Sequence, residues 1–353
     1  GDYSLGDVCK RVEEVWTESE ELDKPHVKWT FSGHTHPVRS VTADNVGNVY
    51  SGSDDQKVKK ISPSGEEIWT FSRYNGTVSS VVADNVGNVY SGSRDKTVKK
   101  ISSSGSEIWT FSGHSSWVKS VAVDNNGNVY SGSDDNTVKK ISSSGSEIWT
   151  FSGHSSWVKS VAVDNNGNVY SGSWDKTVKK ISPSGSEIWT FGGHTGWVYS
   201  VAVDNDRNVY SGSSDETVKK IFPSGEGVWT FSGHSATVES VAVDNNGNVY
   251  SGSDDKTVKK IFPSGEGVWT FSGHSATVES VAVDNNGNVY SGSDDKTVKK
   301  IFPSGEGVWT FSGHSATVES VAVDNNGNVY SGSDDKTVKK IFPSGEGVWT
   351  FSG

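Results

Sequence analysis

Residues 118–151 read VKSVAVDNNGNVYSGSDDNTVKKISSSGSEIWTF, and this stretch decides the fold. Val118-Lys119-Ser120-Val121-Ala122-Val123 is β-branched and alternating, which predicts a strand with one face inside. Asp124-Asn125-Asn126-Gly127-Asn128 is turn chemistry, because Asx side chains cap their own backbone and Gly accepts positive φ. Val129-Tyr130-Ser131-Gly132-Ser133 is a second strand, Thr137-Val138-Lys139-Lys140-Ile141 a third, and Ile148-Trp149-Thr150-Phe151 a fourth. Asp134-Asp135-Asn136 and Ser143-Ser144-Gly145 turn the chain between them. Four short strands joined by tight turns make an antiparallel sheet that needs both faces covered.

The cover comes from copies of itself. Trp-Thr-Phe returns every 40 residues, from Trp29 through Trp309, with a further copy at Trp349, and no repeat has an insertion or deletion. A strict period of this length signals a repeat architecture. Eight such sheets close into a ring that leaves few free edges. The expected fold is all-β, an eight-bladed propeller of four-stranded antiparallel blades over residues 29–353, preceded by a short helical extension over residues 1–28.

In that extension Val8, Val12, Val15 and Trp16 lie on one helical stripe between about Asp7 and Glu21. The stripe needs a partner, either the propeller itself or another chain. With Cys9, the sole cysteine, these residues are the candidates for self-association. A lone cysteine makes no internal disulfide. Met is absent throughout, which favours an extracellular location if it reflects processing. Asn75-Gly76-Thr77 is a glycosylation sequon, relevant only to a secreted eukaryotic chain.

The net charge of −11 argues against nucleic acid, whose affinity rests on Lys and Arg. No apolar run approaches the length of a membrane span, so no membrane insertion is expected.

Gly113-His114, Val118-Lys119-Ser120-Val121, Asn126-Gly127-Asn128, Ser131-Gly132-Ser133-Asp134-Asp135 and Thr137-Val138-Lys139 together resemble the WD-repeat β-propellers. In that family a His, a Ser or Thr on the second strand, a turn Asp and a Trp on the third strand form a hydrogen-bonded brace. The resemblance implies that His114, Ser133 and Asp135 fill three of those places. Lys139-Lys140-Ile141 stands where the family has Leu-Trp-Asp, so the fourth is missing. Trp109 instead opens the fourth strand after Gly105-Ser106-Glu107-Ile108, a placement that is similar to the tryptophan-docked blades of quinoproteins. Blade two carries Arg73-Tyr74 in place of Gly-His. Eight sets of inner strands meet nine outer-strand segments, so residues 29–32 and 349–352 compete for the last blade. The resemblance implies closure by the N-terminal segment. The surplus one is then left to fray, to lead into further chain, or to be offered to a neighbour.

No catalytic constellation emerges, because the repeated His residues share one structural task. No cofactor and no metal are expected. The Asp124–Asn128 turn lacks the spaced carboxylates of a calcium loop. The recurring Lys pairs, such as Lys59-Lys60, read as a solvated ring on packed stems.

Function is sought where the copies differ. Before the first strand stand Pro37, Thr77, Trp117, Trp157, Trp197, Thr237, Thr277 and Thr317. On it stand Arg39, Ser79, Lys119, Lys159, Tyr199, Glu239, Glu279 and Glu319. In the turn before the third strand stand Asp54, Arg94, Asp134, Trp174, Ser214, Asp254, Asp294 and Asp334. The resemblance implies that all three sets share one face of the disc. Trp117, Lys119, Trp157, Lys159, Trp174, Trp197 and Tyr199 are therefore the candidate binding residues, since exposed Trp and Tyr anchor interfaces. The expected function is a non-enzymatic recognition scaffold for a protein, or for a glycan. The alternative is a subunit that assembles with itself through residues 1–28 and the surplus strand.

Overall fold

The computed structural model describes residues 27–342, and within them thirty-two strands, β1–β32 in chain order, form eight four-stranded antiparallel sheets. Blade one is β2 (Val38–Ala43), β3 (Val49–Ser53), β4 (Val58–Ile61) and β5 (Glu67–Phe71), from the axis outward. The pattern recurs every 40 residues. The expected helix between about Asp7 and Glu21, with Val8, Cys9, Val12, Val15 and Trp16, lies outside the described residues, as do residues 349–352, whereas residues 27 and 28 of the expected extension belong to the first strand.

Two local devices turn the repeat into a ring. The inner strand carries a bulge between Val38 and Ser40. That extra residue puts Val38 and Val41, three apart, on the same buried side. Gly52 then lets the next blade close up, because a Cβ there would lie 2.7 Å from Val78 Cγ1. Between blades three and four the result is a core of Tyr130, Val138, Phe151, Val158, Val161, Val169 and Ile181. Each fully buried side chain of this kind contributes roughly 1.5–3 kcal/mol.

The outer strand locks each blade to the next. Trp149 Nε1 donates to the Pro183 carbonyl at 3.0 Å, and its ring covers Gly185, whose φ of 90° and missing Cβ admit it. This tryptophan docking repeats from Trp29 to Trp269.

The ring closes with the N-terminal segment. β1 (Val27–Phe31) pairs with β32 (Val338–Ile341), completing the sheet begun by β30 (Val318–Val323) and β31 (Val329–Ser333). Trp29 donates to Pro63 of blade one at 3.0 Å, and Val41 N–H donates to Ser320 across the seam. The outer-strand place of blade eight is thereby filled by β1.

Candidate functional site

The brace is present and differs from the expectation in one member. His114 Nδ1 lies 2.7 Å from Asp135 Oδ2, and Nε2 lies 2.7 Å from Ser131 Oγ, not from Ser133. Ser133 ends its strand, and its hydroxyl is spent on the turn. It accepts from Asp135 N–H and donates to the Ser116 carbonyl. Ser131, two residues deeper on the same side, meets the ring. Burial alone pushes the Asp135 carboxyl up, but hydrogen bonds from His114 and Thr137 win and hold it well below the usual carboxylate range. An ionised Asp135 fixes the tautomer: Nδ1–H donates to it, and Nε2 accepts from Ser131. Seven blades share this arrangement. In blade two, Tyr74 fills the place of the ring, and its hydroxyl meets Ser91. Ile141 is fully buried on the third strand, where Lys139-Lys140-Ile141 replaces the family's Leu-Trp-Asp.

The Lys pairs also differ from expectation, for all of them but Lys100 are buried. Lys139 Nζ donates to Thr150 at 2.6 Å, and Lys140 Nζ lies over the Tyr130 ring at 5.3 Å and donates to the next blade's Pro183 carbonyl. The flanking outer strand and the docked turn cover them, which the sequence alone does not reveal.

The Asp124 turn behaves as a hairpin cap. Its carboxylate takes hydrogen bonds from the N–H groups of Asn126 and Asn128, the Asn128 amide and the Tyr130 hydroxyl. No cluster of metal-ligating side chains occurs among the described residues.

The positions that vary converge around the axis on one face. The turn residue reaches the start of its own first strand, since Trp174 N–H donates to the Trp157 carbonyl at 2.9 Å. It also reaches the next blade, where Trp174 meets Trp197. Three indoles therefore stack: Trp157 on Trp174 with centroids 4.4 Å apart, and Trp174 on Trp197 at 4.3 Å. Cations extend the row. Lys159 Nζ lies 5.5 Å from Trp174 and 5.4 Å from Tyr199, Lys119 Nζ lies 4.7 Å from Trp117 and 5.8 Å from Trp157, and Arg94 covers Trp117 at 4.8 Å. Trp117, Trp157 and Trp197 remain 41%, 39% and 43% exposed. All seven candidate binding residues thus lie in one aromatic and cationic arc across blades three to five, which Arg94 of blade two extends.

Blades six to eight present the opposite charge. Burial, together with Asp254, pushes the Glu239 carboxyl up to about 7. Burial with Asp294 and Glu239 does the same to Glu279, again to about 7. Glu319 is also raised to about 7, although Arg39 bonds it at 2.6 Å. Burial dominates there, and Glu319 shares the one guanidinium with Asp334, which Arg39 bonds at 3.0 Å.

Hydrogen bonding is incomplete on this face. Asp54 Oδ1, Ser79 Oγ, Asp134 Oδ1 and Trp174 Nε1 are the buried side-chain polar atoms without a partner among the described residues. Every one belongs to the varying inner-strand or turn positions. Native interiors seldom leave such atoms unpaired.

The family model described as WD domain, G-beta repeat matches residues 26–61, 105–141, 145–181, 185–220, 225–260, 265–300 and 305–340. The chain belongs to the WD-repeat family. The matched segments omit residues 62–104, which hold Arg73-Tyr74 of blade two. No curated protein matches the chain. Among solved structures it is similar to the computationally designed Ika8 protein, with 28% identity and a TM-score of 0.82 over 89% of this chain and 98% of that one. WD-repeat propellers generally act as protein-interaction scaffolds and are generally not enzymes. No helix among the described residues is long and apolar enough to cross a membrane.

Proposed function

We propose that this WD-repeat propeller is a non-enzymatic recognition scaffold that binds a protein partner through the axial face of blades three to five. The Trp157–Trp174–Trp197 stack carries the reading. Large aromatic anchors beside Lys and Arg are the side chains that dominate binding hot spots. A protein fits better than a glycan. Sugars pack on the faces of aromatic rings, and both faces of Trp174 are taken by its neighbours. Arg94 and Lys119 lie over the Trp117 ring, and Trp157 meets both Lys119 and Trp174.

Selection of peptides from a displayed random library tests this. Enriched peptides should lose binding at least about tenfold to the W117T/W157T/W197T variant, as expected for removal of hot-spot anchors. Thr is the residue that blades six to eight already carry there. Equal binding by both proteins, or enrichment of glycans alone on an array, contradicts the proposal.

Ring closure by β1 favours a second reading. A ninth Trp-Thr-Phe segment at 349–352 has no outer-strand place left within the ring, so strand addition to a neighbour, aided by Val8, Cys9, Val12, Val15 and Trp16, would build a homopolymer. Deleting residues 344–353 should then abolish assembly seen by electron microscopy, and assembly by the shortened chain rules this reading out.

A further inference from the structure

The same face carries two arcs of opposite charge, and their positions around the ring are complementary. Inner strands neighbour one another in the order of blades one to eight, with blade eight beside blade one, so blades one and five lie opposite. Arg94, Lys119 and Lys159 belong to blades two, three and four, while Glu319 with Asp334, Glu279 with Asp294, and Glu239 with Asp254 belong to blades eight, seven and six.

Consider a second disc placed face to face, related by a two-fold axis that lies between the discs and runs through blades one and five. That operation sets blade two on blade eight, three on seven, and four on six. Arg94, Lys119 and Lys159 of one copy then meet the acids of the other, twice over. On the axis, Trp197 and Tyr199 of blade five meet their own copies. The partly exposed Trp117, Trp157 and Trp197 add aromatic area to the contact. The turn-tip lysines Lys256, Lys296 and Lys336 oppose it in part, the first and last facing Lys176 and Lys96, but Asp254, Asp294 and Asp334 and, above about pH 7, Glu239, Glu279 and Glu319 outnumber them two to one. Arg39 adds little, being already bonded to Asp54, Glu319 and Asp334, and Lys119 is shared with Asp134 of its own chain at 3.3 Å.

We infer that this face binds a second copy of the chain, forming a face-to-face dimer whose rotational register is set by the two charged arcs. The inference rests on the reading of this face as the recognition surface and names its partner. An interface of this kind is isologous, the commonest form in homo-oligomers. Complementary potentials of this sort fix register and speed encounter.

Sedimentation velocity of the full chain across a concentration series tests it, with two charge-reversed variants. K119E/K159E puts acids against acids, and E239K/E279K puts bases against bases. Each alone should weaken self-association at least about tenfold. An equimolar mixture should restore it, because every altered contact then becomes an opposite pair. Should either variant fail to fold, the wild-type dimer must still weaken as salt rises. A monomer at every concentration, association indifferent to charge reversal and salt, or association lost only on deleting residues 344–353 overturns the dimer. The recognition reading fails separately: a monomer whose peptide binding still depends on Trp117, Trp157 and Trp197 keeps that reading and loses this one.

Discussion

The brace inside each blade and the residues around the axis come from the same 40-residue unit, yet they are built on opposite terms. In the brace every polar atom has a partner. His154 sits between Asp175 at 2.7 Å and Ser171 at 2.7 Å, and the arrangement recurs almost unchanged from blade to blade. Around the axis the copies diverge, like charges are crowded together, and the buried polar atoms without partners gather. The repeated positions are spent on stability, and the unrepeated ones give stability up. A satisfied buried network rigidifies a fold, whereas an incomplete one is retained where something else is gained.

Cutting the brace should have the largest effect. His154→Ala leaves the Asp175 carboxylate buried without its main partner and should cost about 2–4 kcal/mol in chemical unfolding. Peptide binding, measured where the variant is folded, should not change.

Relieving the acidic arc should go the other way. Asp254, Asp294 and Lys159 face Glu239, and burial with Asp254 raises its folded pKa from the ordinary 4.5 to about 7. The folded state therefore holds a proton that the unfolded state has released, and stability falls as pH rises from 4.5 to about 7. Glu239→Gln imitates the protonated form. It should stabilise by about 1–2 kcal/mol near pH 8, after discounting for solvent screening, and by nearly nothing near pH 4. The difference between variant and wild type isolates this group from His234, whose pKa burial lowers and whose contribution runs in the opposite sense. A gain equal at both pH values breaks the comparison.

Trp149→Phe keeps a ring over Gly185 and removes the bond to the Pro183 carbonyl together with part of the indole's packing area, so about 1–2 kcal/mol should be lost by thermal unfolding. A much larger loss would place more of the ring's stability in the outer strand than the inner strands leave room for.

How much of this was legible in the sequence follows from what each pattern encodes. The strict repeat, the turn chemistry and the β-branched alternation specify local structure, and they gave eight four-stranded blades and their order. Brace membership is harder, because Ser131 and Ser133 lie on the same side of one strand. Only the depth reached by the His114 ring decides between them. The burial of Lys139 and Lys140 was hidden because it depends on the neighbouring strand and the next blade's turn. The aromatic positions could be picked from divergence alone, but not their stacking. Trp174 is 17 residues from Trp157 and 23 from Trp197, and the three meet only because the turn of one blade leans on the next. The pairing of β1 with β32 joins chain segments that no local pattern connects, and it was the family resemblance that implied it.

The division of labour between body and face is tested most directly by making the face uniform. The variant W117T/W157T/W174D/W197T gives blades three to five the Thr that blade six carries at Thr237, and blade four the Asp that it carries at Asp254. Its thermal midpoint and its binding of library-selected peptides should be measured together. A midpoint within about 3 °C of wild type, with peptide binding abolished, is the predicted result. Loss of cooperative unfolding, or peptide binding that survives, would contradict it.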